Sequence, residues 1–87
     1  MLIKKVKVAL RTLTDDEGIN EQVQGLIDAG TSDLENSGIK VEMKSGECVD
    51  KNVELALVYY CKGHFYSSET FLNIYNSIKA QLGIWNG

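Results

Sequence analysis

Lys51-Asn-Val-Glu-Leu-Ala-Leu-Val-Tyr-Tyr-Cys-Lys-Gly-His64 decides the fold. From Val53 to Cys61 it is apolar on almost every side, interrupted only by Glu54. Periodicity alone does not separate a buried strand from a buried helix in such a run, and its β-branched and aromatic residues favour a strand. Two features turn the reading to helix. Asp50 stands where an N-cap belongs, its carboxylate able to accept from the first free backbone N–H groups. The segments on either side are themselves helical. A helix over 51–64 is therefore expected, and with it an all-α protein: a compact bundle of about four helices with one long loop.

Upstream, Ile19, Val23, Leu26, Ile27, Gly30 and Leu34 recur at helical intervals, with Glu17, Glu21, Gln24, Asp28 and Glu35 on the opposite face. Thr14-Asp-Asp-Glu17 reads as a capping box, and its acids suit the positive end of the helix dipole. Ser37-Gly38 ends the helix, with Gly38 in the left-handed C′ position. The expected span is 15–36. Gly25 and Gly30 inside it cost about 1 kcal/mol each relative to alanine and suggest close approach of a neighbouring helix. Before it, Leu2, Ile3, Val6, Ala9, Leu10 and Leu13 predict an amphipathic helix over 2–13.

Downstream, Ser67 or Ser68 caps a helix over 69–82, with Phe71, Leu72, Tyr75, Ile78 and Leu82 apolar. Gly83 is the expected C′ residue, and Ile84-Trp85 an apolar tail within 83–87. The stretch 39–49, with Ser45-Gly46, reads as an exposed loop holding at most a short extended piece.

The chain has 87 residues, 44% hydrophobic and 24% charged, which fits one ordered domain spanning 1–87 with a thin core. Proline is absent, although average usage of about 5% predicts about four. Straight, unkinked helices follow from that. Cys48 and Cys61 are too few for a disulfide framework, and reduced thiols in a cytosolic setting are expected. Lys4, Lys5 and Lys7 interrupt any signal-peptide core, and no apolar run is long enough to span a membrane.

Charge is unevenly placed. The net charge is −3, yet residues 1–13 carry Lys4, Lys5, Lys7 and Arg11 with no acid, and residues 14–36 carry seven acids with no base. Two solvated helix faces that attract each other would account for this, as would a surface whose sign matters to a partner.

Little in the sequence points to chemistry. Cys61 and His64 share a helix face, but the chain has one histidine and no paired cysteine motif, and an apolar setting makes a thiol inert. The glycines make no phosphate-binding loop. The carboxylates of 15–35 sit on a polar helix face. A pI near 5.0 and the lack of a basic recognition helix count against a dedicated DNA-binding domain. No catalytic residue, metal or cofactor is expected, and the chain is not read as an enzyme.

What stands out is apolar excess. A helix greasy all round must be surrounded, and three short amphipathic helices cover only part of it. Val58, Tyr59, Tyr60 and the Ile84-Trp85 tail are candidates for burial against other chains. The opposite reading is that loop 39–49 folds over the remainder.

The order of elements completes a familiar pattern. Ile19-Asn-Glu-Gln-Val-Gln-Gly-Leu-Ile-Asp-Ala-Gly-Thr-Ser-Asp-Leu-Glu-Asn-Ser-Gly38 is followed by a variable loop. Then comes an acid-capped apolar helix with Tyr59-Tyr-Cys-Lys-Gly-His-Phe65, and finally Tyr75-Asn-Ser-Ile-Lys-Ala-Gln-Leu82. Over 3–38 and 50–83 this resembles the small head–tail connector proteins of tailed double-stranded DNA phages, also labelled head-completion or DNA-packaging proteins. The resemblance implies a structural virion protein, assembled in the bacterial host cytoplasm, forming a ring of about a dozen copies with heterologous interfaces. The ring docks beneath the portal protein, extends the channel through which genomic DNA passes without sequence-specific binding, and presents a surface to a tail-side completion protein. In that family the C-terminal segment engages the portal, which nominates Ile84 and Trp85 as docking residues. Lys4, Lys7 and Arg11 are then expected to face Glu21, Asp28 or Glu35 of the next copy, or the acidic stripe to line the channel and repel DNA. The competing expectation is a small helical regulatory or host-interaction protein acting as a dimer.

Overall fold

The computed structural model describes residues 2–10 and 17–86, and side chains as far as 83. Arg11, the continuation of the first helix to Leu13, the Thr14 cap and the side chains of Ile84 and Trp85 lie outside the described residues.

Four helices and a two-stranded hairpin follow in chain order: α1 (Leu2–Ala9), α2 (Glu17–Asn36), β1 (Met43–Lys44), β2 (Glu47–Cys48), α3 (Lys51–Phe65) and α4 (Glu69–Asn86). The Val53–Cys61 run is helical. Asp50 caps it as its sequence suggests: its backbone is extended, and Oδ1 accepts from the N–H of Asn52 at 2.8 Å. Ser68 caps α4 through its Oγ, which accepts from the N–H of Phe71 at 3.3 Å. α2 ends in a Schellman motif. Gly38 takes φ +85°, its N–H donates to Glu35 O at 3.0 Å, and Ile39 N–H donates to Leu34 O at 3.0 Å. Ile39 and Leu34, the two apolar residues the motif brings together, are both buried.

α3 is the central element, with α1, α2, α4 and β2 packed against it. The core draws Leu2, Val6 and Leu10 from the first segment, Val23, Ile27 and Leu34 from α2, Val53, Ala56, Leu57 and Cys61 from α3, and Tyr75 and Leu82 from α4. Each fully buried aliphatic contributes about 1.5–3 kcal/mol. Two glycines set the helix spacing. A Cβ at Gly30 would lie 2.9 Å from the Tyr60 ring, and one at Gly63 would lie 2.5 Å from Leu72 Cδ2. Gly30 thus lets α3 lie close to α2, as its place in the sequence suggests. Gly25 does not serve the same end, since a Cβ there meets nothing within 4 Å.

Two expectations need correction. The 39–49 stretch is not simply an exposed loop: Met43 pairs with Cys48 and Lys44 with Glu47 in a tight hairpin, and Ile39 and Cys48 are buried against the helices. Its turn residues, Ser45 at φ +56° and Gly46 at φ +77°, have the two positive values a type I′ connection requires. The Gly46 carbonyl then accepts from the N–H of Leu2 at 2.9 Å, satisfying a free donor at the start of α1. The last helix also runs beyond 82 to Asn86. Gly83 lacks the positive φ of a C′ residue and sits inside α4, so Ile84 and Trp85 continue the helix backbone.

The radius of gyration is 12.3 Å and the extents are 39 × 31 × 18 Å. A slab 18 Å thick holds about two helix layers of ~10 Å each, so every helix keeps an outward face.

Candidate assembly surface

On α3, Val53, Ala56, Leu57 and Cys61 point inward and Tyr60 turns towards α2 and α4. Helical geometry leaves Lys51, Leu55, Val58, Tyr59 and Lys62 on the outward side. Leu55 is 46% exposed, and Val58 and Tyr59 are half-buried. The Tyr59 ring meets Phe71 of α4 at 6.1 Å between centroids, and Lys62 Nζ lies over both rings, 4.7 Å from Phe71 and 5.7 Å from Tyr59. Cation–π attraction of this kind holds an ammonium at the edge of an apolar strip. Lys51 Nζ sits at the other end, 3.5 Å from Glu54 Oε2. The strip is thus apolar in its middle, with the ammonium of Lys62, unneutralised among the described residues, at one end and at the other Lys51, exposed but paired to Glu54.

The sequence-nominated residues divide into groups. Val58 and Tyr59 lie on this outward strip. Tyr60 is engaged within the subunit, its ring 5.1 Å from Tyr75 and 4.3 Å from His64. Lys4 is exposed on α1. Lys7 turns towards α2 and donates to Asn20 Oδ1 at 2.6 Å. Glu21, Asp28 and Glu35 are exposed along one line of α2, a heptad apart, and none forms an ion pair with a described residue. Within the subunit the basic α1 reaches other acids: Lys5 Nζ lies 2.8 Å from Glu47 Oε1 and 3.3 Å from Glu54 Oε1. These contacts raise the Lys5 pKa and lower that of Glu47. Leu55, the most open apolar residue of α3, was not singled out in the sequence. The signal for it was available, since on a helix it stands opposite Val53 and Leu57.

A second cluster ties α2 and α4 together. Tyr75 donates to Asp33 Oδ2, Lys79 Nζ donates to the same oxygen at 3.1 Å, and Lys79 lies 5.3 Å from the Tyr75 ring centre. The hydrogen bond from Tyr75, helped by Lys79, holds the Asp33 carboxyl below the usual carboxylate range. Burial and the Asp33 contact push the Tyr75 hydroxyl up. Cys61 is fully buried, its thiol pushed up to about 12 by desolvation, whereas His64 is exposed against Tyr60. They share a helix but not an environment. Among the described residues no group of three His, Cys, Asp or Glu side chains could hold a metal ion. A shallow cleft of about 200 Å³ between α1, α2 and the hairpin is lined by Leu2, Ile3, Gln24, Ile27, Met43 and Gly46, which offers one amide and no titratable side chain.

No family model, curated protein or solved structure matches this chain. No described helix is long and apolar enough to cross a membrane.

Proposed function

We propose that this chain is a structural assembly protein, a head–tail connector subunit that completes its burial against copies of itself in a ring between portal and tail. The observation that carries this reading is the outward strip of α3. The chain's own elements cover the other sides of its most apolar helix, yet Leu55, Val58 and Tyr59 stay open to different degrees. An open apolar strip at the centre of a thin slab suits burial by a neighbour. The order of elements and the motifs quoted over 3–38 and 50–83 supply the specific role: portal docking by the C-terminal end of α4, a tail-side partner, and DNA passing through the ring. The test is co-sedimentation with the cognate portal ring. Portal-dependent pelleting of many copies per ring is expected. Absence of binding to portal and to tail components overturns the reading.

A further inference from the structure

The outward face of α2 has an unexplained composition. Glu21, Asp28 and Glu35 run along it at intervals of about 10 Å, and beside them lie Gly25, Ala29 and Ser32, all exposed. Gly25 costs α2 about 1 kcal/mol relative to alanine. None of the described residues requires that glycine: its backbone has no positive φ, and a Cβ would meet no described atom within 4 Å. The result is a shallow, small-residue furrow with an anionic border.

The outward strip of α3 is its complement. Leu55 and Tyr59 are bulky where the furrow is low, and Lys51 and Lys62 stand at the two ends of the strip. The two surfaces cannot meet within one chain, because α3 packs on α2 through its inner side, at Gly30. Because the two surfaces lie on different helices, one copy can offer its α3 strip to a second copy while its own α2 furrow stays open to a third, the arrangement a ring needs.

We propose that the outward strip of α3 docks into the Gly25–Ala29–Ser32 furrow of α2 on a second copy of this chain. Lys51 and Lys62 then meet the carboxylates of Glu21, Asp28 and Glu35. This deepens the assembly reading and rests on it, but commits to the pair of faces that meet. It also replaces α1 with α3 as the main source of the cations.

The test uses two full-length preparations, Leu55→Cys and Ala29→Cys, both at exposed positions, with folding checked by circular dichroism. They are oxidised alone and mixed, in free solution at high concentration and on the cognate portal ring. A covalent dimer is expected in the mixture, with little in either preparation alone. Introducing Glu21→Lys, Asp28→Lys and Glu35→Lys into the Ala29→Cys chain should lower the yield about tenfold or more, and Lys51→Glu with Lys62→Glu in the Leu55→Cys chain should restore it. Cross-linking of Leu55→Cys mainly to itself, or no mixed dimer in either setting, overturns the proposal. Its failure is separable from that of the connector reading. Mixed dimers without portal binding sink the connector role alone, and portal-bound copies without the mixed dimer sink this contact alone.

Discussion

The Tyr75 hydroxyl donates a hydrogen bond to Asp33 Oδ2, fastening α4 to α2 across a sequence separation of 42 residues. Lys79 reaches the same oxygen from one turn further along α4. The Asp33 side chain is 43% exposed, so solvent screens the pair, and Tyr75→Phe should cost about 1 kcal/mol in urea denaturation at neutral pH. Because the folded-state pKa of Asp33 is depressed below its ordinary value of 3.8, its contribution is full above that value and is lost as pH falls through the folded pKa. The gap between Tyr75→Phe and the unaltered chain should therefore narrow in acid. A constant or widening gap contradicts the assignment.

Glycine substitutions should split by location. Gly63→Ala drives a Cβ to 2.5 Å from Leu72 Cδ2 and 3.2 Å from its backbone N, and separating α3 from α4 should cost about 1–3 kcal/mol despite better helix propensity. Gly25→Ala meets no neighbour and should stabilise the isolated subunit by about 0.5–1 kcal/mol. Thermal denaturation of both variants at a concentration where the chain is monomeric compares them directly. Equal shifts of the same sign would refute the packing described.

The hairpin turn holds a non-glycine residue at positive φ, Ser45 at +56°. Ser45→Gly should relieve that strain and stabilise the protein by a few tenths to about 1 kcal/mol, while Ser45→Val should destabilise it. Amide exchange at Leu2, whose N–H bonds to Gly46 O, should slow in the first variant and quicken in the second.

Both thiols are buried and raised in pKa by desolvation, Cys61 to about 12. A thiol-specific reagent at neutral pH should label the native protein slowly and both cysteines promptly after denaturation. Rapid native labelling of Cys61 would place it outside the core described.

Much of this architecture is legible in the residues, and the exceptions have physical causes. Asp50, Ser37-Gly38 and the Ser67-Ser68 pair mark helix ends because a cap is a local hydrogen-bonding event, decided by neighbours in sequence. The hairpin was less legible. Two strands of two residues carry no alternation to read, and Ile39 and Cys48 join a core drawn from all four helices, which no pattern within 39–49 shows. Gly83 read as a stop because glycine favours C′, yet α4 runs through it to Asn86. At the candidate site, the apolar excess of 53–61 was visible, but its direction was not. Tyr59 and Tyr60 are adjacent and equally apolar, and only the positions of α2 and α4 show that Tyr60 turns inward while Tyr59 stays on the rim. Leu55, by contrast, is legible as an outward position once Val53 and Leu57 are taken as core, since it stands opposite both on the helix.

The proposed assembly on a portal can be seen by electron microscopy of the chain mixed with its cognate portal ring. An added ring of density on the portal is expected, built of copies in head-to-tail contact and lost when Leu55→Asp is used in place of the unaltered chain. Bare portal rings beside free monomers or closed dimers would contradict it.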